Sequence, residues 1–344
     1  MDLWNYLKTV ESPIMLYGMG DGAEKIYSRL KTLGISPSGV FASDGFARHN
    51  SFLGFEVISY SEAAQLFPDM IVLVCFGSSL PSVIDYVKSI SGQFETYAPD
   101  VPVCGDGTFN EEFYLENKDK FDFVFNRLED EQSRKVFKAI IDYKLSGKLS
   151  FLFDCESPYD EVYSNIIRLE DSEVFADLGA YRGDTVLDFI KRTNGRYNHI
   201  FAAEPDEKSF KKLLENTRQF GTVTAVNAAV GAVCGKTHFS SQKGRGSKIN
   251  EIGKEIEQIT LDSLACGKNP TFIKYDVEGA ELDAVIGSQQ TIKSSKPKLQ
   301  IAAYHRNEDL FSIPLKVLEF NPDYKVYLRH RPCFPAWDTD FYFI

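Results

Sequence analysis

No apolar run in this chain approaches the about 18 residues that a membrane-spanning helix requires, and the cysteines follow no spacing that would bind metal or frame a fold. Cys75, Cys104, Cys155, Cys234, Cys266 and Cys333 are scattered, without a C-x-x-C pair. Neither a disulfide framework nor a zinc site is expected. Basic clusters are missing as well. Lys and Arg total 38 against 49 Asp and Glu, a net charge of −11. With no Lys/Arg-rich stretch to interrupt that acidity, nucleic acid and anionic membranes are poor partners. The start Met1-Asp2-Leu3-Trp4-Asn5 carries no basic n-region followed by an apolar h-region, so export is not expected. A reducing, cytoplasmic setting fits these absences best.

What is present is material for two cores. The 344 residues are 43% hydrophobic and 13% aromatic, too many for one typical domain and enough for two. The pattern divides the chain into 1–109, 110–150 and 151–344. In the first segment, apolar Pro13 to Tyr17 runs into Gly18-Met19-Gly20-Asp21-Gly22-Ala23, and Ile26, Leu30 and Leu33 then recur at helical spacing. A short strand ends near Asp44, Gly54 to Ile58 reads as another, and Ser61 is placed to cap a helix reaching Phe67. The continuous apolar run from Met70 to Phe76 reads as a buried parallel strand. Ser79 to Ile90 reads as a helix with Pro81 in its first turn. Alternating signals of this kind predict a small Rossmann-like α/β domain.

Its Gly18-x-Gly20-x-x-Ala23 pattern, followed by Asp44, matches a dinucleotide fingerprint in its Ala variant. A tight strand-to-helix turn needs small residues in any case, so packing explains the same glycines. An NAD(P)-binding oxidoreductase using this domain is therefore one reading of function. No catalytic partner is recognisable near it.

Between Asn110 and Gly147, Phe121, Val124, Phe125 and Leu128, then Phe137, Ile140, Ile141 and Leu145, keep a helical period on either side of a charged middle. Two helices joining the domains are expected, the second stopped by Gly147. From Val174 the chain alternates strand and helix. Strands are expected at Val174–Leu178, His199–Ala203, Val223–Asn227, Thr271–Tyr275, Leu299–Tyr304, Tyr324–Leu328 and Phe341–Ile344, with helices at Thr185–Lys191 and Asp206–Phe220. A polar loop, Ser240 to Asn250, precedes Gln258 to Asp262 and a short helix. Pro314 is expected early in the helix after the fifth strand.

Charge collects where these strands should surface. Asp177-Leu178-Gly179-Ala180-Tyr181-Arg182-Gly183-Asp184-Thr185 forms the first strand-to-helix turn, where glycines admit a ligand to the backbone and the helix start offers amide donors. Asp177 and Asp184 would repel a pyrophosphate but suit a ligand bearing an ammonium group. Glu204, ending the second strand, can accept hydrogen bonds from vicinal ribose hydroxyls, while Asp206 is most simply an N-cap. Asn227-Ala228-Ala229 at the third strand end suits the edge and face of an adenine. Amino acid, ribose and base together describe S-adenosylmethionine rather than NAD.

Asp177-Leu-Gly-Ala, Ala203-Glu-Pro-Asp, Thr260-Leu-Asp-Ser, Phe272-Ile-Lys-Tyr-Asp-Val-Glu-Gly-Ala-Glu, Lys296-Pro-Lys-Leu and Ala303-Tyr-His resemble the FkbM-type methyltransferase family in order and spacing. The block Lys274 to Glu281 is the most specific of these. The resemblance covers about 151–344 and implies a class I methyltransferase fold, Rossmann-like, with a seven-stranded sheet whose last strand is antiparallel. It also implies S-adenosylmethionine as cofactor and O-methylation of a sugar, glycan or polyketide-like acceptor. Tyr181-Arg182-Gly183 departs from the Asn-x-Gly more common in the family, which leaves backbone contacts in place and puts an Asn side-chain contact in doubt.

Asp276 and Glu278, past the fourth strand, and His305, at the end of the fifth, should then share one crevice. His305 has a pKa range suited to neutral proton transfer, although a structural role in the crevice wall would also account for it. Lys274, one residue inside its strand, either pairs with Asp276 or Glu278 or touches acceptor or cofactor. These carboxylates could recruit Mg²⁺, but their spacing does not require it. His330, with Arg329 and Arg331, reads as an exposed basic turn or a contact for an anionic acceptor. A cofactor-binding module without turnover is the non-enzymatic reading.

Overall fold

The structure, a computed structural model, describes residues 1–105, 107–240, 248–249, 253–265 and 267–344. Six strands form the first sheet: β1 (Ile14–Tyr17), β2 (Gly39–Ala42), β3 (Ser51–Phe52), β4 (Phe55–Ser59), β5 (Ile71–Val74) and β6 (Glu95–Tyr97). Their order is β3-β4-β2-β1-β5-β6. All neighbours are parallel except β3, which pairs antiparallel with β4. Every residue of β1, β2 and β5 is buried, because helices cover both faces of a parallel sheet. On one face Leu16, Val40 and Leu73 pack with Ile26 and Leu30 of the helix Asp21–Thr32. On the other, Met15, Phe41 and Val72 pack with Ile84, Val87 and Ile90 of the helix Pro81–Ser91.

One cap differs from its expected place. The helix Tyr60–Leu66 is capped by Ser59, whose backbone amide and side chain close a capping box with Glu62. Ser59 has an acid three residues on and Ser61 has Ala64, so only the former can complete the reciprocal pair. Ser61 instead donates its amide and hydroxyl to Asp44, at 3.0 and 2.7 Å.

The middle of the chain folds as three helices where two were expected. Glu111–Glu116, capped by Asn110, precedes Lys118–Arg127 and Glu131–Ser146. Gly147 ends the last in the left-handed conformation with φ 67°, which a glycine adopts without steric cost. Phe121, Val124, Phe137 and Ile140 are buried in a core continuous with Met15 and Phe41 on one side and Leu328 and Phe341 on the other. The Leu328 amide donates to Ser133 Oγ, and buried Arg329 pairs with Asp130 and Glu161.

The second sheet contains β7 (Val174–Leu178), β8 (His199–Ala203) and β9 (Val223–Val226). A small side sheet follows, made of β10 (Ala229–Val230), β11 (Gly235–Ser240), β12 (Lys248–Ile249) and β13 (Lys254–Ile259). Most of the expected polar loop 240–250 lies outside the described residues. The side sheet escaped sequence reading because β13, Lys-Glu-Ile-Glu-Gln-Ile, buries no residue and so carries little hydrophobic signal. The main sheet is completed by β14 (Phe272–Tyr275), β15 (Lys298–Ala302), β16 (Val326–His330) and β17 (Thr339–Phe343).

These seven strands run in the order β16-β17-β15-β14-β7-β8-β9. β17 is antiparallel to both neighbours, and the strands from β15 to β9 are parallel. The class I methyltransferase architecture expected from the sequence is therefore the observed one. Strand order reverses between β7 and β14, and ligands in such sheets bind at the carboxyl ends beside that switch point. Pro314 lies inside the helix Asp309–Phe320 rather than in its first turn. The helix starts earlier than its proline suggests because the Asp309 carboxylate accepts the Arg306 amide at 2.7 Å and anchors the first turn.

Candidate active site

The turns that follow β7, β8, β9, β14 and β15 enclose a cavity of about 920 Å³. Gly179 opens the first turn at φ +90°, and a Cβ there would stand 1.8 Å from the Asp276 carbonyl oxygen. Only glycine lets the β7 and β14 turns approach so closely. The turn then rises to Gly183, which precedes the helix Asp184–Arg192. Gly179, Asp184 and Thr185 line the cavity.

Glu204 forms the second wall. It is buried, and its two oxygens accept the amides of Tyr181 and Asp206, each at 2.8 Å. Burial pushes its carboxyl up to about 7 against those two amides. A carboxylate has about four acceptor positions, so two remain for a ligand. Asp206 caps the helix Glu207–Thr217 by accepting the Ser209 amide at 2.8 Å, as its sequence position suggested, and it also lines the cavity.

The floor is the turn after β14. Glu278 and Gly279 both take positive φ, 55° and 95°, which curls the chain around Glu281. The buried Glu281 carboxylate accepts the Val277 amide at 2.8 Å and the Gly279 amide at 3.0 Å. This fixes the direction in which Asp276 and Glu278 enter the cavity. Lys274 Nζ lies 3.2 Å from Asp276 Oδ2 and 3.8 Å from Asp177 Oδ1. Burial disfavours its charge, but Asp276 and Asp177 more than reverse that and hold the ammonium protonated. Burial likewise raises Asp276, yet Lys274 and His305 outweigh it and keep the carboxyl below its ordinary value.

His305 is 1% exposed and faces carboxylates on both edges of its ring. Nε2 lies 3.5 Å from Glu278 Oε2 and 3.8 Å from Asp276 Oδ1, while Nδ1 lies 3.0 Å from Glu281 Oε1, off the axis of a hydrogen bond. Burial would lower its pKa, but Glu281, Asp276 and Glu278 together raise it to about 10. The surrounding carboxylates thus favour the imidazolium form at neutral pH. Asp276, Glu281 and His305 each offer one ligand atom within 4.8 Å of the others. Lys274, 3.2 Å from Asp276, already offsets part of the charge that a cation would neutralise there.

Of the residues singled out from sequence, Gly179, Asp184, Thr185, Glu204, Ala228, Lys274, Asp276, Glu278 and His305 all line this one cavity. Asp177, Ala180, Gly183 and Asn227 do not. Asp177 is fully buried beneath the turn, neither of its oxygens has a hydrogen-bond partner, and desolvation lifts its carboxyl to about 6. Asn227 donates its side-chain amide to the backbone oxygens of Glu204 and Pro205, so that group holds the β8 turn.

In the first sheet, Gly18 and Gly20 take φ +105° and +113°, and a Cβ on Gly18 would stand 2.6 Å from Phe76. Ala23 is fully buried, and the Asp44 carboxylate is engaged by Ser61. None of these four reaches the cavity. His330 and Arg329 are buried rather than part of an exposed basic turn. They sit on β16, whose inner face packs on the helix Glu131–Ser146, and burial drops His330 to about 4.

Sequence reasoning passed over Tyr304, whose hydroxyl donates to Asp276 Oδ1 at 3.2 Å. Its place beside His305 in Ala303-Tyr304-His305 was the available signal. Tyr181 and Arg182, noted only as a departure in the first turn, also line the cavity, as do Val103, Trp337 and Asp338. The last three come from segments distant in sequence that carry no motif.

The fold recurs in a solved structure, the methyltransferase FkbM from Methylobacillus flagellatus KT. It is 24% identical, with a TM-score of 0.73, covering 97% of this chain and 90% of that one. Two further solved structures overlap about half of the chain. A precorrin-6y C5,15-methyltransferase from Geobacter metallireducens GS-15 is 16% identical, covering 53% and 84% with a TM-score of 0.32. Aeropyrum pernix fibrillarin, in complex with natively bound S-adenosyl-L-methionine, is 13% identical, covering 53% and 72% with a TM-score of 0.34. Among curated proteins, none matches this sequence. Residues 177–330, the stretch that carries the β7 turn, Glu204, the β14 floor and His305, match the profile of the methyltransferase FkbM domain.

Proposed function

We propose that this protein transfers a methyl group from S-adenosylmethionine to a hydroxyl of a small-molecule acceptor such as a sugar or nucleotide-sugar. The observation that carries the reading is Glu204. It is a buried carboxylate at the end of β8, aimed by two backbone amides and retaining acceptor capacity, one strand from the glycine turn and across the switch point from Asp276 and His305. That is where vicinal ribose hydroxyls would be held.

S-adenosylmethionine supplies the electrophilic methyl group. The residues of this chain do the rest. Glu204, Gly179, Asp184, Thr185 and Ala228 bind the cofactor on the β7–β9 side, and Asp276, Glu278 and His305 face the acceptor on the β14–β15 side. Holding the acceptor oxygen in line accounts for most of the rate. His305 accepts the hydroxyl proton at Nε2 in its neutral form, the Glu281 carboxylate 3.0 Å from Nδ1 favours the proton on that nitrogen, and Lys274 keeps Asp276 ionised.

Titration with S-adenosylmethionine and with NADH, followed by an acceptor screen that reads release of S-adenosylhomocysteine, tests the proposal. Binding of the first and turnover are expected, and binding of NADH alone would move the function to the oxidoreductase reading. Turnover is expected to persist within about twofold in excess chelator, because Lys274 and His305 already offset part of the carboxylates' charge and their spacing requires no metal. Abolished turnover that Mg²⁺ restores would put a metal at Asp276 and His305.

Glu204→Ala should weaken S-adenosylmethionine binding by about 10- to 100-fold, the range for charge-assisted hydrogen bonds. Because the Glu204 carboxyl is raised to about 7 and its ionised form is the better acceptor, wild-type affinity should climb as pH rises through 7. The variant should lose that climb. Calorimetric titration at several pH values checks both, and unchanged affinity would remove Glu204 from the cofactor site.

A further inference from the structure

The N-terminal sheet takes no part in the transfer chemistry, yet it reaches the cavity at two points. After β6 the chain crosses toward the second sheet, and Val103 joins the cavity lining. This crossing is fixed from both sides. From the first sheet, Lys25 Nζ donates to the carbonyl oxygens of Pro102 and Val103 at 3.1 and 3.2 Å, with Asp21 2.9 Å from the same ammonium. From the cavity, the Cys104 amide donates to the His305 carbonyl and its thiol to the Glu278 carbonyl, each at 3.0 Å.

The second point lies after β5. Ser78 and Phe334 exchange two backbone hydrogen bonds, at 2.8 and 3.2 Å. Gly77 lies against the indole of Trp337, so close that a Cβ would stand 2.2 Å from the ring. Trp337 and Asp338 line the cavity just before β17. Both contacts leave the carboxyl ends of their strands, so the carboxyl ends of the two sheets meet around one space.

Strand order says which part of the cavity this is. β8, which carries Glu204, lies on one side of the switch point, whereas β14, β15 and β17 lie on the other. Val103 adjoins His305 and Glu278 through Cys104, and Trp337 enters from the β17 side. Both therefore stand by the groups assigned to the acceptor, away from the ribose-holding carboxylate.

We propose that the N-terminal unit selects the acceptor. Val103 and Trp337 form the wall against the part of the acceptor beyond its reacting hydroxyl, and Lys25 is the positioning residue that sets Val103. This inference rests on the methyl-transfer reading. It makes the first sheet a specificity element for that reaction, with no ligand of its own needed to explain it.

The test uses the full chain as wild type, Val103→Phe and Lys25→Met. S-adenosylmethionine affinity is measured by calorimetry, and S-adenosylhomocysteine release is followed with free monosaccharides, nucleoside-diphosphate sugars and small hydroxylated metabolites graded by size. Cofactor affinity should stay within about twofold in both variants, because neither residue stands on the β8 side. Val103→Phe should lower kcat/KM for the larger acceptors by about tenfold or more relative to the smallest, the scale of discrimination by pocket shape. Lys25→Met should raise acceptor KM several-fold at nearly constant kcat, the signature of lost acceptor binding.

Turnover with unchanged acceptor ranking in Val103→Phe and unchanged KM in Lys25→Met would overturn the inference alone. A wild type that binds the cofactor and turns over no acceptor would overturn the methyl-transfer reading, and this inference with it. Should Val103→Phe fail to bind the cofactor through misfolding, the KM shift of Lys25→Met decides the matter.

Discussion

Replacing His305 by Ala should lower kcat by about 10²- to 10⁴-fold, the usual contribution of a positioned acid or base, and change S-adenosylmethionine affinity far less. His305 follows β15, three strands from β8 and Glu204, with β14 and β7 between, so its loss should spare whatever Glu204 holds. The pH profile sharpens the prediction. Glu281, Asp276 and Glu278 raise the imidazole to about 10, and a base must be deprotonated to act. Activity should therefore rise with pH through the neutral range, with log kcat/KM for the acceptor climbing near one unit per pH unit below the operative pKa. Cationic cofactor nearby lowers that pKa, because like charge disfavours the imidazolium. His305→Gln, which keeps a polar side chain but does not titrate, should be as slow as His305→Ala and lose the slope. Equal turnover in either variant would remove His305 as the base. A flat wild-type profile would hand the proton to Asp276, whose carboxyl lies below its ordinary value and is ionised throughout.

Replacing Lys274 by Met should destabilise the fold by about 3–5 kcal/mol at pH 7, the cost of breaking a buried pair from one side. Lys274 stands between Asp177 and Asp276 on neighbouring positions of β7 and β14. Asp177 has no hydrogen-bond donor to replace the ammonium. The loss should shrink toward pH 5. Asp177 is raised to about 6 even with lysine present, so below that pH the native state takes up a proton that the unfolded chain does not, and the uncompensated charge disappears. Denaturant unfolding of variant and wild type at pH 7 and pH 5 measures both differences. Equal stability at pH 7 would mean that Lys274 serves ligand contact alone.

The elements that sequence reading located well are those with one strong local cause. Ile71–Val74 is a short apolar run bounded by turns, and Phe272–Tyr275 is one interrupted only by Lys274; buried parallel strands have that signature. Gly147 stops its helix by taking a left-handed conformation that its type makes easy. Asp206 caps its helix because its carboxylate reaches an amide three residues on. Misplaced features had two local candidates or none. Ser59 and Ser61 both could cap a helix, and a hydrogen bond to Asp44, distant in sequence, settles what Ser61 does instead. The exposed strand Lys254–Ile259 has no buried face to announce it.

The same division holds in the cavity. Motif spacing placed Glu204, Asp276, Glu278 and His305 together, because each follows directly on a strand whose end faces the switch point. It could not show that Asp177 is sealed below the turn or that Asn227 is spent on backbone carbonyls. Nor could it show that carboxylates on both ring edges hold His305 protonated, since a pKa depends on through-space distances and burial. By itself, then, the sequence determined the seven-stranded class, the strand ends that line the cavity and the likeness of residues 177–330 to the methyltransferase FkbM domain. Those follow from periodicity and short motifs along the chain. Only the tertiary structure decided which acids carry charge into the cavity, and that Val103 and Trp337 close it, because both depend on packing two sheets whose contacts lie far apart in sequence.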